Sequence, residues 1–165
     1  MRTLYLIRHA KSGWKDLGLD DFDRPLNKRG ENDAPVMGKR LAEHGICPGL
    51  MITSPAKRAT TTARRIAKEV GYSEKKIEEN EAIYGGGVRQ LLEVIQEIDD
   101  SNDQAMLFGH NPGLTSLVLE LSDAEIDNIP TCGIFCIRFA VGSWKEVDSG
   151  RGEVVFFDYP KKEAS

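Results

Sequence analysis

Arginines and histidines closely follow apolar segments at three places in this sequence. The polar residues at these places are Arg8 and His9, Ser54 and Arg58, and His110 and Asn111. A guanidinium makes paired hydrogen bonds to phosphoryl oxygens, and a neutral imidazole can attack phosphorus and hold the phosphoryl group covalently. Arginines can also neutralise the charge of the transition state, so such a site requires no metal and no other cofactor. These residue types predict phosphoryl-transfer chemistry.

The three apolar segments predict buried strands at residues 4–7, 50–53 and 105–108. Helical patterns alternate with them, and two late apolar segments predict an antiparallel pair at the end of the sheet. This alternation predicts an α/β fold, a three-layer sandwich with a mostly parallel central sheet and helices on both faces. Parallel strands end at one sheet edge, where ligands bind, so the polar residues are predicted to converge in an anion pocket.

Capping residues locate the predicted helices. Asn27 is predicted as the N-cap of a helix that runs to about His44. The next helix is predicted to have Ser54 as its N-cap and Pro55 at its first position, where proline is tolerated. A further helix is predicted over residues 112–121.

Length and composition restrict the class of protein. The 165 residues predict a single domain, 1–165, which we expect to be a monomer. A net charge of −4 argues against nucleic-acid and anionic-membrane partners, because both require a basic face. Arg8 interrupts the first apolar segment too early for a secretion signal. Three cysteines, an odd number, predict a reducing cytoplasm, with Cys132 and Cys136 in the core of a strand.

Four segments together resemble the histidine phosphatase superfamily, which has the phosphoglycerate-mutase-like fold: "RHAKS", "RPLNKRG", "SPAKRATTTA" and "GHNPGL". With the short length of the chain, they resemble the compact branch typified by the phosphohistidine phosphatase SixA, and the resemblance covers nearly the whole chain. It implies that His9 is the nucleophile. The residues that it assigns to binding and stabilising the phosphoryl group are Arg8, Arg58 and His110.

The resemblance also suggests substrate contacts. Ser12 matches a hydroxyl position that follows the signature in many members, and Asn111 is the other predicted substrate-binding residue. Trp14 and Arg24 are candidate contacts in the 12–24 loop, which lacks the bulk of an enclosing lid. An open loop suits a protein-borne substrate. The predicted partner is therefore a protein that carries phosphohistidine, or else a small phosphorylated molecule.

Two positions depart from the superfamily pattern. Ala10 replaces a glycine of the signature, a change common to this branch. Many members place a glutamate general acid after the third strand, whereas this position is Gly85 here and Glu81 is out of register. An alkoxide leaving group benefits greatly from a proton donor, but imidazole, whose conjugate acid has a pKa of about 6.5, leaves without much help. The sequence therefore predicts a phosphohistidine phosphatase that reacts poorly with sugar phosphates.

Other functions fit the sequence less well. A small-molecule phosphomonoester phosphatase of the same superfamily is an alternative, and so is a non-catalytic phosphate-binding module, which a trapped phosphoenzyme would exclude. A mutase would need a longer chain and the general acid. A metal site built on His9 and His110 conflicts with the neighbouring arginines, which repel a cation. The segment "YGGGVRQ" does not fit a nucleotide-binding loop, and no serine lies in a nucleophile elbow.

Overall fold

The computed structural model describes residues 1–13 and 18–162 of the chain. Its six-stranded sheet consists of β1 (Arg2–Arg8), β2 (Leu50–Thr53), β3 (Glu78–Glu79), β4 (Gln104–Gly109), β5 (Ile134–Phe139) and β6 (Gly152–Asp158). The α-helices of the described ranges are α1 (Lys28–Glu43), α2 (Lys57–Val70), α3 (Val88–Gln96) and α4 (Gly113–Leu121). Short 3₁₀ helices lie at Asp21–Asp23, Glu74–Lys76, Glu81–Ile83 and Trp144–Glu146. Within the described part of the chain, none of the helices has the length and apolar character that crossing a bilayer demands.

The sheet has the strand order β3-β2-β4-β1-β5-β6. The first four strands in this order are mutually parallel, since β2 pairs in parallel with β3 and β4, and β4 pairs in parallel with β1. Of the late strands, β5 is antiparallel to its neighbour β1, and β6 is antiparallel to β5 at the edge of the sheet. The prediction of a mostly parallel sheet with an antiparallel pair at its end is confirmed. The strands β1, β4 and β2, which precede the predicted site residues, are direct neighbours.

The two faces of the sheet bury separate hydrophobic clusters. Alternate residues of β1 divide between them, with Leu4 and Leu6 in one cluster and Tyr5 and Ile7 in the other. The first cluster contains the apolar faces of α3 and α4, and the second contains those of α1 and α2. Helices therefore cover both faces, which is the predicted three-layer sandwich.

The helix N-termini match the sequence predictions in one instance and differ in another. The Asn27 side chain caps α1 by accepting a backbone hydrogen bond of 2.9 Å. The prediction of Ser54 as the N-cap of α2 is wrong, because α2 begins at Lys57 and follows Ala56. The Ser54 hydroxyl accepts a hydrogen bond from the Ala56 N–H at 3.2 Å and also bonds to His110. Because the Ser54 hydroxyl is hydrogen-bonded to His110 beyond the end of β4, it is not available to cap α2.

The two late cysteines lie in the core as predicted. Cys132 and Cys136 are buried in the same cluster. The strand that was predicted to contain both begins only at Ile134, and Cys132 precedes it with a φ of 60°. The backbone N–H of Cys132 donates to the His9 carbonyl at 3.0 Å. This hydrogen bond holds the segment before β5 against the residue that follows β1.

Candidate active site

The carboxyl ends of β1, β4 and β2 lie side by side and carry the predicted site residues. Arg8 is the last residue of β1 and pairs with Gly109, the last residue of β4. The backbone N–H of His9 donates to the Gly109 carbonyl at 3.1 Å, and that of Ser54 donates to the Phe108 carbonyl at 3.0 Å. These bonds extend the register of the sheet beyond the strands. Side chains that are far apart in the sequence are therefore held at one edge.

A cavity of about 630 Å³ opens at this edge. All six predicted site residues line it: Arg8, His9, Ser12, Arg58, His110 and Asn111. Arg24, named from the loop, also lines it, together with Gly85 and four residues that the sequence did not single out for the site: Lys11, Asp21, Tyr84 and Thr131. Trp14, the other loop residue named as a candidate contact, lies outside the described residues.

His9 has the protonation state that a nucleophile requires. The residue is 6% exposed, and its Nδ1 lies 2.7 Å from the Ala10 carbonyl oxygen. Because a carbonyl only accepts hydrogen bonds, this contact places the ring proton on Nδ1 and leaves a lone pair on Nε2. Burial, opposed by the bond to Ala10, lowers the pKa of His9 to about 3. The imidazole is therefore neutral at physiological pH.

His110 lies beside His9 and provides a second imidazole ring in the cavity. The ring centroids of His110 and His9 are 5.2 Å apart. Nε2 of His110 is 2.7 Å from the Ser54 hydroxyl, whose oxygen also accepts the Ala56 N–H, so the hydroxyl hydrogen is available to Nε2. In the tautomer in which this hydroxyl donates to Nε2, Nδ1 carries the ring proton, and it is buried without a partner among the described residues. Burial, followed by the charge of Arg58, lowers the pKa of His110 to about 4.

Arg8 and Arg58 each have one buried nitrogen without a hydrogen-bond partner among the described residues. Nη1 of Arg8 donates to the Ile129 carbonyl at 3.0 Å. Nη1 of Arg58 donates to the Asp21 carbonyl at 2.6 Å, and Nη2 donates to the Asp21 carboxylate at 3.0 Å. The Nε of each arginine is buried and unpartnered in the described ranges. Arg8, Arg58 and His110 line the same cavity, and two guanidinium groups at one place suit the binding of an anion.

Asn111 lines the cavity, but its amide is used inside the protein. Nδ2 donates to the Asn128 side chain at 2.6 Å and to the Ile129 carbonyl at 2.8 Å. Oδ1 accepts from the backbone and the hydroxyl of Thr115. Both amide hydrogens are therefore donated within the protein. Since the Ile129 carbonyl also binds Arg8, this geometry makes Asn111 a positioning residue for that arginine, and its predicted substrate contact stays a prediction.

Asp21 and Tyr84 form a network that the sequence did not reveal. The Asp21 carboxylate pairs with Arg58 at 3.0 Å and with Arg24 at 3.1 Å, and it accepts the Tyr84 hydroxyl at 2.7 Å. Burial alone would raise the pKa of Asp21, but the hydrogen bonds from Tyr84 and Arg58 outweigh it and lower the pKa to about 2. Arg24 also donates to the Ser12 hydroxyl at 3.0 Å. The pocket therefore contains an ionised carboxylate beside its cations.

The position that the resemblance assigns to a general acid carries no acidic side chain. Gly85 stands there with a φ of +74°, and a Cβ built on it would meet open space. Glu81 begins the 3₁₀ helix Glu81–Ile83 and is not among the described residues that line the cavity. Asp21 is the only carboxylate in the described lining, and it is held in its ionised form by its partners. Neither Glu81 nor Asp21 is therefore positioned, in the described structure, as a proton donor for a leaving group.

Comparison with known proteins identifies the relationship of this chain. The sequence model of the histidine phosphatase superfamily (branch 1) matches residues 4–84. A chloroplastic protein of Arabidopsis thaliana is 33% identical over 153 aligned positions, and the match covers 88% of this chain and 70% of that protein. The chain belongs to the histidine phosphatase superfamily.

Solved structures of this superfamily share the fold of the whole chain. A protein of Agrobacterium tumefaciens assigned as phosphohistidine phosphatase SixA is 26% identical, with a TM-score of 0.79 over 96% of this chain and 98% of that one. The protein histidine phosphatase SixA in complex with tungstate has a TM-score of 0.82 at 18% identity, over 96% of this chain and 97% of that one. The resemblance to the SixA-like branch is thereby confirmed. Membership of a histidine phosphatase superfamily supports a phosphatase activity for this chain.

Proposed function

We propose that this histidine phosphatase hydrolyses the phosphoramidate bond of a histidine-phosphorylated protein, through a covalent phosphohistidine at His9. The observation that carries this proposal is the state of His9, a neutral imidazole whose Nδ1 is bonded to Ala10 and whose Nε2 keeps its lone pair. Arg8, Arg58 and His110 line the same cavity, and each has a buried nitrogen without a partner among the described residues, which supports an anion site there. The partner we propose is a cytoplasmic signalling protein that carries phosphohistidine.

The reaction has two steps in this proposal. Nε2 of His9 forms a bond to phosphorus while the P–N bond of the substrate breaks. Arg8, Arg58 and Nδ1 of His110 donate to the phosphoryl oxygens as negative charge spreads over them. Water then attacks phosphorus, the bond to His9 breaks, and inorganic phosphate leaves. The arginines supply the positive charge in both steps, so we expect turnover to persist in EDTA.

The leaving group supports phosphohistidine as the substrate class. The acid position is Gly85, and the carboxylate of Asp21 is ionised, so neither protonates a departing alkoxide. Imidazole needs little help to leave because its conjugate acid has a pKa of about 6.5. Across aryl and alkyl phosphates, kcat/KM should therefore fall steeply as the leaving group becomes more basic. A shallow slope that becomes steep in Glu81→Gln would reveal a general acid and contradict this substrate class.

Trapping the phosphoenzyme tests the covalent step. Wild-type protein mixed rapidly with a ³²P-labelled histidine-phosphorylated protein should acquire an acid-labile, alkali-stable label at His9. His9→Ala should acquire no label and show no turnover, whereas His44→Ala, which changes an exposed histidine, should behave as wild type. Full turnover in His9→Ala would exclude the covalent mechanism. Binding without label or turnover in the wild type would identify a phosphate-binding module instead.

A further inference from the structure

Tyr84 immediately precedes Gly85 and places an aromatic ring in the lining of the phosphoryl pocket. Its ring meets Phe22 edge-on, with centroids 5.3 Å apart and an interplanar angle of 89°. It meets His110 in the same way, at 5.6 Å and 80°. The residue is 38% exposed, so a bound substrate can reach it. These contacts fix a tyrosine beside the place where the phosphoryl group is transferred.

The hydroxyl hydrogen of Tyr84 already has an acceptor. It is donated to Oδ2 of Asp21 at 2.7 Å, and the charge of that carboxylate is balanced by Arg58 and Arg24. A phenol has one hydrogen to donate, so the Tyr84 oxygen offers only lone pairs to a further partner. The hydrogen bond to Asp21, followed by burial, raises the pKa of Tyr84, which makes the phenol a poorer proton donor.

We propose that Tyr84, oriented by Asp21, is a specificity-determining residue whose hydroxyl oxygen accepts a hydrogen bond from the free ring N–H of a phosphoimidazole leaving group. This inference rests on the proposed function and extends it to the way in which the leaving group is selected. Asp21 acts through Tyr84 as a positioning residue, because it fixes which way the hydroxyl hydrogen points.

The N–H determines how the leaving group departs. In a protonated phosphohistidine ring, one nitrogen carries the phosphoryl group and the other carries a hydrogen. When Nε2 of His9 bonds to phosphorus, the electron pair of the breaking P–N bond returns to the ring nitrogen. The ring then leaves as neutral imidazole with its N–H intact, so no proton has to be delivered during bond cleavage. By accepting a hydrogen bond from this N–H, the Tyr84 oxygen stabilises the protonated ring, which is the form that can leave as neutral imidazole.

The same oxygen disfavours alkyl phosphates. A departing alkoxide is an anion, and it would face the lone pairs of the Tyr84 oxygen, whose only hydrogen is already donated to Asp21. Where the resemblance leads one to expect a proton donor near Gly85, this chain presents a hydrogen-bond acceptor. In this proposal the selectivity of the site comes from the Tyr84 oxygen as well as from the lack of a general acid at Gly85.

Tyr84→Phe removes the oxygen and keeps the ring contacts. Its kcat/KM for phosphoimidazole should fall by about tenfold, the size expected for one hydrogen bond to a charged donor. Its kcat/KM for 4-nitrophenyl phosphate, which has no N–H, should change little. Tyr72→Phe is the matched control, because the Tyr72 hydroxyl donates to the Lys76 carbonyl and does not line the pocket. It should leave both activities unchanged.

A second substrate isolates the hydrogen bond from the positive charge of the ring. Freshly prepared 1-methyl-3-phosphoimidazole has the cationic ring but no N–H, so wild type and Tyr84→Phe should hydrolyse it with equal kcat/KM. Equal losses on all three substrates in Tyr84→Phe, or an undiminished rate with phosphoimidazole, would overturn the role of Tyr84 while leaving the proposed function standing. A wild-type protein that hydrolyses aryl and alkyl phosphates but not phosphoimidazole would overturn the proposed function itself.

Discussion

Arg58 is shared between the proposed phosphoryl pocket and the Asp21 carboxylate. Both of its terminal nitrogens contact Asp21, while Nε is buried and unpartnered among the described residues. Arg58→Ala should lower kcat for phosphohistidine by about 100-fold or more, since it removes a donor to the transition state. Single-turnover rates with a histidine-phosphorylated protein measure this. Arg64→Ala on the same helix, which changes an exposed arginine paired with Glu74, serves as the control. A change confined to KM would show that Arg58 only binds the ground state.

The site residues differ in how far the sequence reveals them. Arg8, His9 and His110 were predictable because each stands directly beyond an apolar segment, and parallel strands bring such positions together. The contact of Asp21 with Tyr84 joins residues that are 63 apart in the sequence and that no spacing rule links. The acidic run before Arg24 is the one signal, and it resembles an ordinary solvated loop. Side chains that act through a tertiary hydrogen bond are therefore the ones that sequence reasoning misses.

The glycine segment before α3 packs on the start of α4 through backbone contact. A Cβ on Gly113 would lie 2.5 Å from the Gly86 carbonyl oxygen, and one on Gly86 would collide with the Ala82 carbonyl. Gly113→Ala should push this segment and the adjoining Tyr84 away, lowering Tm by about 3–10 °C and lowering kcat/KM. Calorimetry and kinetics on Gly113→Ala and Gly142→Ala test this, because a Cβ on Gly142 meets one atom at 4.0 Å. Equal Tm values for the two variants would contradict the packing argument.

At the same scale, strands were predicted more reliably than helix starts. The apolar segments of β1, β2 and β4 have one plausible environment, a sheet buried on both faces, and the structure has them there. The start of α2 depended on which partner Ser54 takes, and that partner is His110, which is 56 residues away. A serine before a helix favours capping only while nothing in the fold competes for its hydroxyl.

The buried neutral histidines make the stability of the whole molecule depend on pH. The pKa values of His9 and His110 are lowered from 6.5 to about 3 and about 4, chiefly by burial. Between pH 6.5 and about 4 the unfolded chain therefore binds protons that the folded protein does not, so the free energy of unfolding should decrease as the pH falls through this window. Urea midpoints across the window measure the slope.

Variants assign this slope to the pocket. His9→Ala should show a shallower dependence than wild type, because one of the two groups has been removed. His44→Ala changes an exposed histidine at the end of α1 and should keep the wild-type slope. An unchanged slope in His9→Ala would mean that other groups control the acid sensitivity of the fold.

The strand order also determines the point during synthesis at which the sheet and the candidate site can form. Of the described strands, β1 leaves the ribosome before the others, yet its neighbours in the sheet are β4 and β5. Of the described strands, those that precede Gln104 can form the short pairing of β2 with β3, but neither neighbour of β1 is yet present. The cavity around His9 therefore cannot form until β4 and His110 have emerged. Chains stalled before β4 should be digested rapidly by protease, and chains stalled after β5 should resist it. The candidate active site should therefore form late in translation.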